Sequence, residues 1–207
     1  MKRKRIILYT LWVLSFLVVP ITAFTNTPWD LISGDRNLTI NLFQRLFGMF
    51  SVILLFTLII LGAFMEEISQ IIGGVAYRLH TFLGIFTYFV IFLHPLMQYI
   101  LHAPVYAGFL DRLNPQRDIF VAIGTLSFVL ITLTVIAGRF RVWPSLRRNW
   151  KKVHIVNYFV FFLIHIHADR LGTDMDFGLY SIVEHGMLLV VGFIVFYKFY
   201  NKFFSQK

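Results

Sequence analysis

Residues 78–94 read R-L-H-T-F-L-G-I-F-T-Y-F-V-I-F-L-H, an apolar run with His80 and His94 at its ends. Residues 150–167 answer it with W-K-K-V-H-I-V-N-Y-F-V-F-F-L-I-H-I-H, which has His154 near its start and His165 and His167 near its end. About 20 apolar residues in a helix cross the roughly 30 Å of hydrocarbon in a bilayer. An imidazole inside such a run is costly, and marks a buried partner or a task.

The rest of the chain has the same character. Of its 207 residues, 58% are hydrophobic and only 14% are charged, against about a quarter charged in a soluble domain. Runs such as 47–64 do not alternate in polarity as membrane barrel strands must, so helices are expected. The predicted fold class is all-α: a polytopic membrane protein forming one six-transmembrane-helix bundle over residues 1–207. The spans read as 6–24, 42–64, 77–101, 119–137, 153–168 and 177–200. The first follows a K-R-K-R head and reads as a retained helix, because its apolar run is long for a signal peptide and no A-x-A site follows. Pro28, Gly34, Gly73-Gly74, Pro104 and Pro144 mark loops between the spans. Cysteine is absent, which excludes disulfides, thiolate-held clusters and a Cys nucleophile.

A net charge of +9 would suggest nucleic acid in a soluble protein, but here its distribution is what matters. Fourteen of the 19 Lys and Arg fall on one side of the six-span topology: the basic head, Arg78, the six in 138–152, and Lys198, Lys202 and Lys207. Arg36, Arg45, Arg112, Arg117 and Arg170 fall on the other. The positive-inside rule then puts both termini in the cytoplasm of an integral membrane protein, a bacterial inner membrane being the expected setting. The basic loops read as topology and anionic-lipid contact, not nucleic-acid binding. Trp12, Trp29, Trp143 and Trp150 read as interface anchors.

Depth pairs the histidines. The third and fifth spans both run outward. His80 and His94 are fourteen residues apart, about 21 Å along a helix, and His154 and His167 are thirteen apart, about 19.5 Å. His80 therefore matches His154 on the inner side, and His94 matches His167 on the outer side. Each pair could clamp one haem iron between two imidazoles. Facing leaves a choice open. At about 100° per residue His80 and His94 share a face, whereas His167 lies about 140° from His154 and His165 only about 20°. Zinc competes poorly, since each level offers two histidines without a cysteine or close carboxylate. A haem-free transporter with a histidine proton relay is the alternative from another class.

The pattern R-x-H-x-x-L-G at Arg78–Gly84, the thirteen residues between His80 and His94, and W-x-x-x-H with twelve residues between His154 and His167 together resemble the ferric reductase-like transmembrane domain family. That family includes ferric reductases, NADPH oxidases and the membrane haem subunit of the bacterial methionine sulfoxide reductase system. The resemblance covers essentially the whole chain. It implies two b-type haems with His80, His154, His94 and His167 as axial ligands, and so prefers His167 to His165. The twelve-residue interval is more like the oxidase and sulfoxide-reductase branches. The sulfoxide-reductase subunit lacks a histidine matching His80, so its presence here implies two full bis-histidine sites. Relatives that reduce iron or oxygen carry a flavin and NADPH domain after the last span. Here the chain ends at Lys207 with no G-x-G-x-x-G loop. The expected donor is thus a separate flavoprotein, a soluble electron carrier or quinol. The expected acceptor is ferric iron, oxygen or an extracytoplasmic partner reductase.

Arg78, Arg148, Lys151 and Lys152 lie near the inner histidines, where haem propionates need cations, although positive-inside topology explains them equally. Arg45 and Arg170 are the outer counterparts. Gly84, one turn from His80, suits either close porphyrin approach or helix packing. His102 and His185 read as interfacial residues.

Overall fold

The computed structural model describes residues 2–32, 34–102, 112–116, 118–140, 142–176 and 178–204. All regular structure among them is helical. In chain order the helices are α1 (Lys2–Thr25), α2 (Trp29–Ile32), α3 (Arg36–Ala63), α4 (Met65–Ile72), α5 (Val75–His102), α6 (Ile119–Arg139), α7 (Pro144–Arg147), α8 (Trp150–His154), α9 (Val156–Leu171) and α10 (Leu179–Phe204), with a 3-10 turn at Thr173–Met175. Five described helices (α1, α3, α5, α6 and α10) are long and apolar enough to cross a membrane. The fifth expected span differs. It is interrupted at Ile155, and α9 has 16 residues, about 24 Å of helix.

α3 is the centre of the bundle. It is apolar all round, and such a helix belongs in the interior. Val52, Ile53, Leu54, Leu55 and Leu61 are all buried. It packs on α5, α1, α4, α9 and α10. Val19 of α1, Ile53 of α3, Val160 and Phe161 of α9, and Val191 of α10 meet in one core. The opposite faces are large and apolar: Phe82, Ile182, Leu189 and Phe193 are exposed. So much exposed apolar surface marks a face made for lipid rather than water.

Helix starts follow local chemistry. Asp35 caps α3 by accepting from the amides of Asn37 and Leu38 at 2.7 and 3.3 Å. Asp118 caps α6 by accepting from Phe120 and Val121 at 2.9 and 3.0 Å. Two segments expected as loops are partly helical. In 66–74, Glu66 and Glu67 sit in the first turn of α4, where carboxylates favour the positive end of the helix dipole. Gly73 then stops the helix at φ 75°. In 25–41, α2 and the start of α3 replace most of the loop. The expected 102–118 loop and the side chain of His102 lie largely outside the described residues.

Side-chain ties fix the two ends of the bundle. Arg5 Nε donates to the Ile71 carbonyl at 2.6 Å, and Lys198 Nζ donates to the Ala63 carbonyl at 2.7 Å. These bring the start of α1, the end of α3, α4 and the last turns of α10 to one end, here the near end. At the far end Asp174 accepts from Arg45 Nε at 2.7 Å and Nη2 at 2.5 Å, and from Asn26 at 3.2 Å. Both described ends of the chain therefore share the near end.

Candidate functional site

α5 carries His80 near one end and His94 fourteen residues on. The structure brings His80 to His154, with ring centres 6.2 Å apart and planes at 72°. It brings His94 to His167 at 6.3 Å and 88°. All four histidines selected by depth thus meet in the expected pairs.

The facing conflict dissolves because its premise fails. His154 ends α8 and Val156 begins α9. The Tyr158 amide reaches back only three residues, to the Ile155 carbonyl at 3.2 Å. Ile155 keeps helical backbone angles, but the turn there is irregular, so the ideal-helix angle between His154 and His167 does not apply unchanged. His165 points elsewhere: its Nδ1 is 2.6 Å from both carboxylate oxygens of Glu184 on α10.

The far pair is held by the backbone of neighbouring helices. Nδ1 of His94 bonds the Gln44 carbonyl on α3 at 2.9 Å, and Nδ1 of His167 bonds the Phe120 carbonyl on α6 at 2.8 Å. A carbonyl only accepts, so each Nδ1 carries the proton and each Nε2 keeps its lone pair. This second bond fixes both the tautomer and the ring orientation.

Four glycines back the four rings. A Cβ at Gly48 would stand 3.0 Å from His94, one at Gly62 would stand 3.5 Å from His80, and one at Gly138 would stand 3.7 Å from His154. At Gly124 a Cβ would penetrate the His167 ring. Gly48 and Gly62 are fourteen residues apart on α3, as are Gly124 and Gly138 on α6. Each interval equals that from His80 to His94. The glycine ladders are a site feature that histidine counting misses, although the shared interval is readable in the sequence.

A cavity of about 280 Å³ adjoins the near pair, lined by His80, His154, Gly62, Gly84, Thr87 and Lys151 among others. Gly84 faces this space, with no atom within 4 Å of a Cβ built there, so the helix-packing reading does not hold. The Thr87 hydroxyl is buried at the wall and has no hydrogen-bond partner among the described protein atoms. Thr134 donates to Asn157 at 2.7 Å, and the hydroxyls of Tyr88 and Thr132 are 3.1 Å apart, so polar contacts tie the surrounding helices.

The cations expected around the two pairs take different places. Lys151 lines the cavity but Arg78 does not. Arg78 is exposed in a shallow depression with Tyr77, Thr81 and Phe82, because residues two apart on a helix point to different faces. Arg45 is committed to Asp174. Arg170 lies 5.7 Å over the Phe120 ring and 3.6 Å from Asp169. Trp150 lines the cavity and packs on His154 with ring centres 5.9 Å apart, so it is more than an interface anchor. His185 meets His165 edge-on at 5.0 Å. Glu184 was legible as the only acid in the last apolar run.

The chain matches no protein-family model, no curated protein and no solved structure.

Proposed function

We propose that the chain is a membrane cytochrome that holds two b-type haems at two depths and passes electrons across the bilayer. The carrying observation is the pair of ring separations, 6.2 and 6.3 Å. Two imidazoles bound through Nε2 to one metal atom, with bonds of about 2.0–2.1 Å, have ring centres roughly 6.3 Å apart. The donor set fits as well: neutral imidazole, with Nδ1 tied to a carbonyl at the far level.

In this reading α8 and α9 together make the sixth span, and both termini lie in the cytoplasm of a bacterial inner membrane. The bound haems supply one-electron redox chemistry. The chain's own residues do the rest. His80 and His154 hold the cytoplasmic site, His94 and His167 hold the outer one, and the glycines leave room for the rings. Lys151 stands at the cavity to neutralise carboxylates, and the apolar helices keep water from both levels. The donor is a separate flavoprotein, a soluble carrier or quinol. The acceptor is ferric iron, oxygen or an extracytoplasmic reductase. The alternative is a cytochrome subunit with no substrate of its own, which would be unable to turn over ferric chelates or oxygen after chemical reduction.

A pyridine haemochrome assay on the purified chain tests the reading. Two haems per chain with low-spin spectra are expected. A colourless preparation would overturn it in favour of a haem-free transporter.

A further inference from the structure

We propose that His165, Glu184 and His185 form a binding site for one divalent first-row transition-metal ion. One ligand atom from each side chain can be chosen so that all three lie within 4.8 Å of one another. Two imidazoles and a carboxylate suit such ions, and three protein ligands leave positions open for water or another ligand. The site uses none of the four paired histidines, and it stands whether or not those pairs hold haem.

Three observations carry it. Glu184 is 1% exposed on a helix otherwise apolar around it. A buried carboxylate there is expensive without a compensating charge. Second, His165 already faces that carboxylate from α9, with Nδ1 2.6 Å from each oxygen. Ligand atoms around one metal at about 2.0–2.2 Å stand some 3 Å or more apart, so this pair needs to part only slightly to admit an ion. Third, His185 stands beside the pair, with its Nδ1 3.8 Å from Glu184 Oε2. That Nδ1 donates to the Ser181 carbonyl at 2.8 Å, which leaves the lone pair on Nε2. Its ring packs edge-on against His165 at 5.0 Å. The His185 side chain is 49% exposed.

Zinc is the probe, because it is redox-silent and accepts this donor set. The full chain in detergent is stripped with chelator and titrated with Zn²⁺ by calorimetry, with haem counted in the same samples. One zinc per chain is expected. His185→Ala should weaken binding at least about tenfold, with the haem count unchanged. Glu184→Gln should do the same where it folds, but His185→Ala decides because the residue is half exposed. His94→Ala should leave zinc affinity unchanged while it changes the haem count, which separates this site from the haem reading. The proposal is overturned by the absence of saturable zinc binding, by equal affinity in His185→Ala, or by loss of binding in His94→Ala alone.

Discussion

At the far level of the bundle, His94 and His167 each donate Nδ1–H to a carbonyl on a neighbouring helix. Their glycine seats are tight: a Cβ at Gly48 would lie 3.0 Å from one ring, and a Cβ at Gly124 would enter the other. At the near level the seats are looser, at 3.5 and 3.7 Å, and a cavity of about 280 Å³ lies beside the pair. His154 ends a five-residue helix there, whereas His167 is inside the longer α9. The ring separations are nonetheless almost equal. The same ring spacing is reached by close backing at one level and by a short helical piece beside open space at the other. Substitutions that add a single methyl group should therefore act on the two levels unequally.

The largest expected effect comes from the rings themselves. On the two-haem reading, His94→Ala or His167→Ala should take the chain from two haems to one, and His80→Ala should remove the other haem. Different spectra for the residual haem in the two classes would show that the levels are separate sites. Loss of the same haem by His165→Ala with retention by His167→Ala would break the pairing. The glycines come next. Gly124→Ala should dislodge His167 and lower the haem count toward one, because the added carbon overlaps the ring. Gly138→Ala, whose added carbon would sit in ordinary contact 3.7 Å from His154, should leave haem content unchanged and raise helix stability by up to about 1 kcal/mol. Equal responses at Gly124 and Gly138 in the haemochrome assay would remove the asymmetry between the levels.

Much of this organisation was legible in the sequence, because hydrophobic runs and depth are counted along one chain. The helical class and the long apolar helices follow from unbroken apolar runs, and rise per residue matches His80 with His154 and His94 with His167 in depth, while the choice of His167 over His165 came from the family resemblance. What counting along one chain could not supply was lateral information. The break at Ile155 removed the rotational objection to His167, and its signal is weak, since Ile155 is neither Gly nor Pro. Arg45 was weighed as a free cation because its partner Asp174 lies 129 residues on. Glu184 and His185 gained meaning only when α10 came against His165. Arg78 is the opposite case: two positions from His80, it lies on a different face by helix geometry alone. The glycine ladders were in view too, at the histidine interval, but glycines in apolar helices have many uses.

The two ends of the bundle repeat the contrast between tight and loose, and give the next two predictions. At the far end Asp174 is nearly buried, with 6% side-chain exposure, and takes a two-point ion pair from Arg45. Removing one partner strands the other charge. Asp174→Ala should cost about 3–5 kcal/mol, read as a shift in an SDS unfolding titration.

At the near end Lys198 is exposed, donates to the last carbonyl of α3 at Ala63, and lies 5.5 Å over the Phe64 ring. A cation at a helix C-terminus is worth about 0.3–1 kcal/mol, and water or lipid headgroups can replace it. Lys198→Met keeps the apolar stem against Phe64 and removes only the charge. Its cost should stay below about 1 kcal/mol in the same titration, several times less than that of Asp174→Ala. A Lys198→Met loss as large as the Asp174→Ala loss would mean that the near end is fastened as firmly as the far one. The slack at the His80 and His154 level would then belong to the cavity alone.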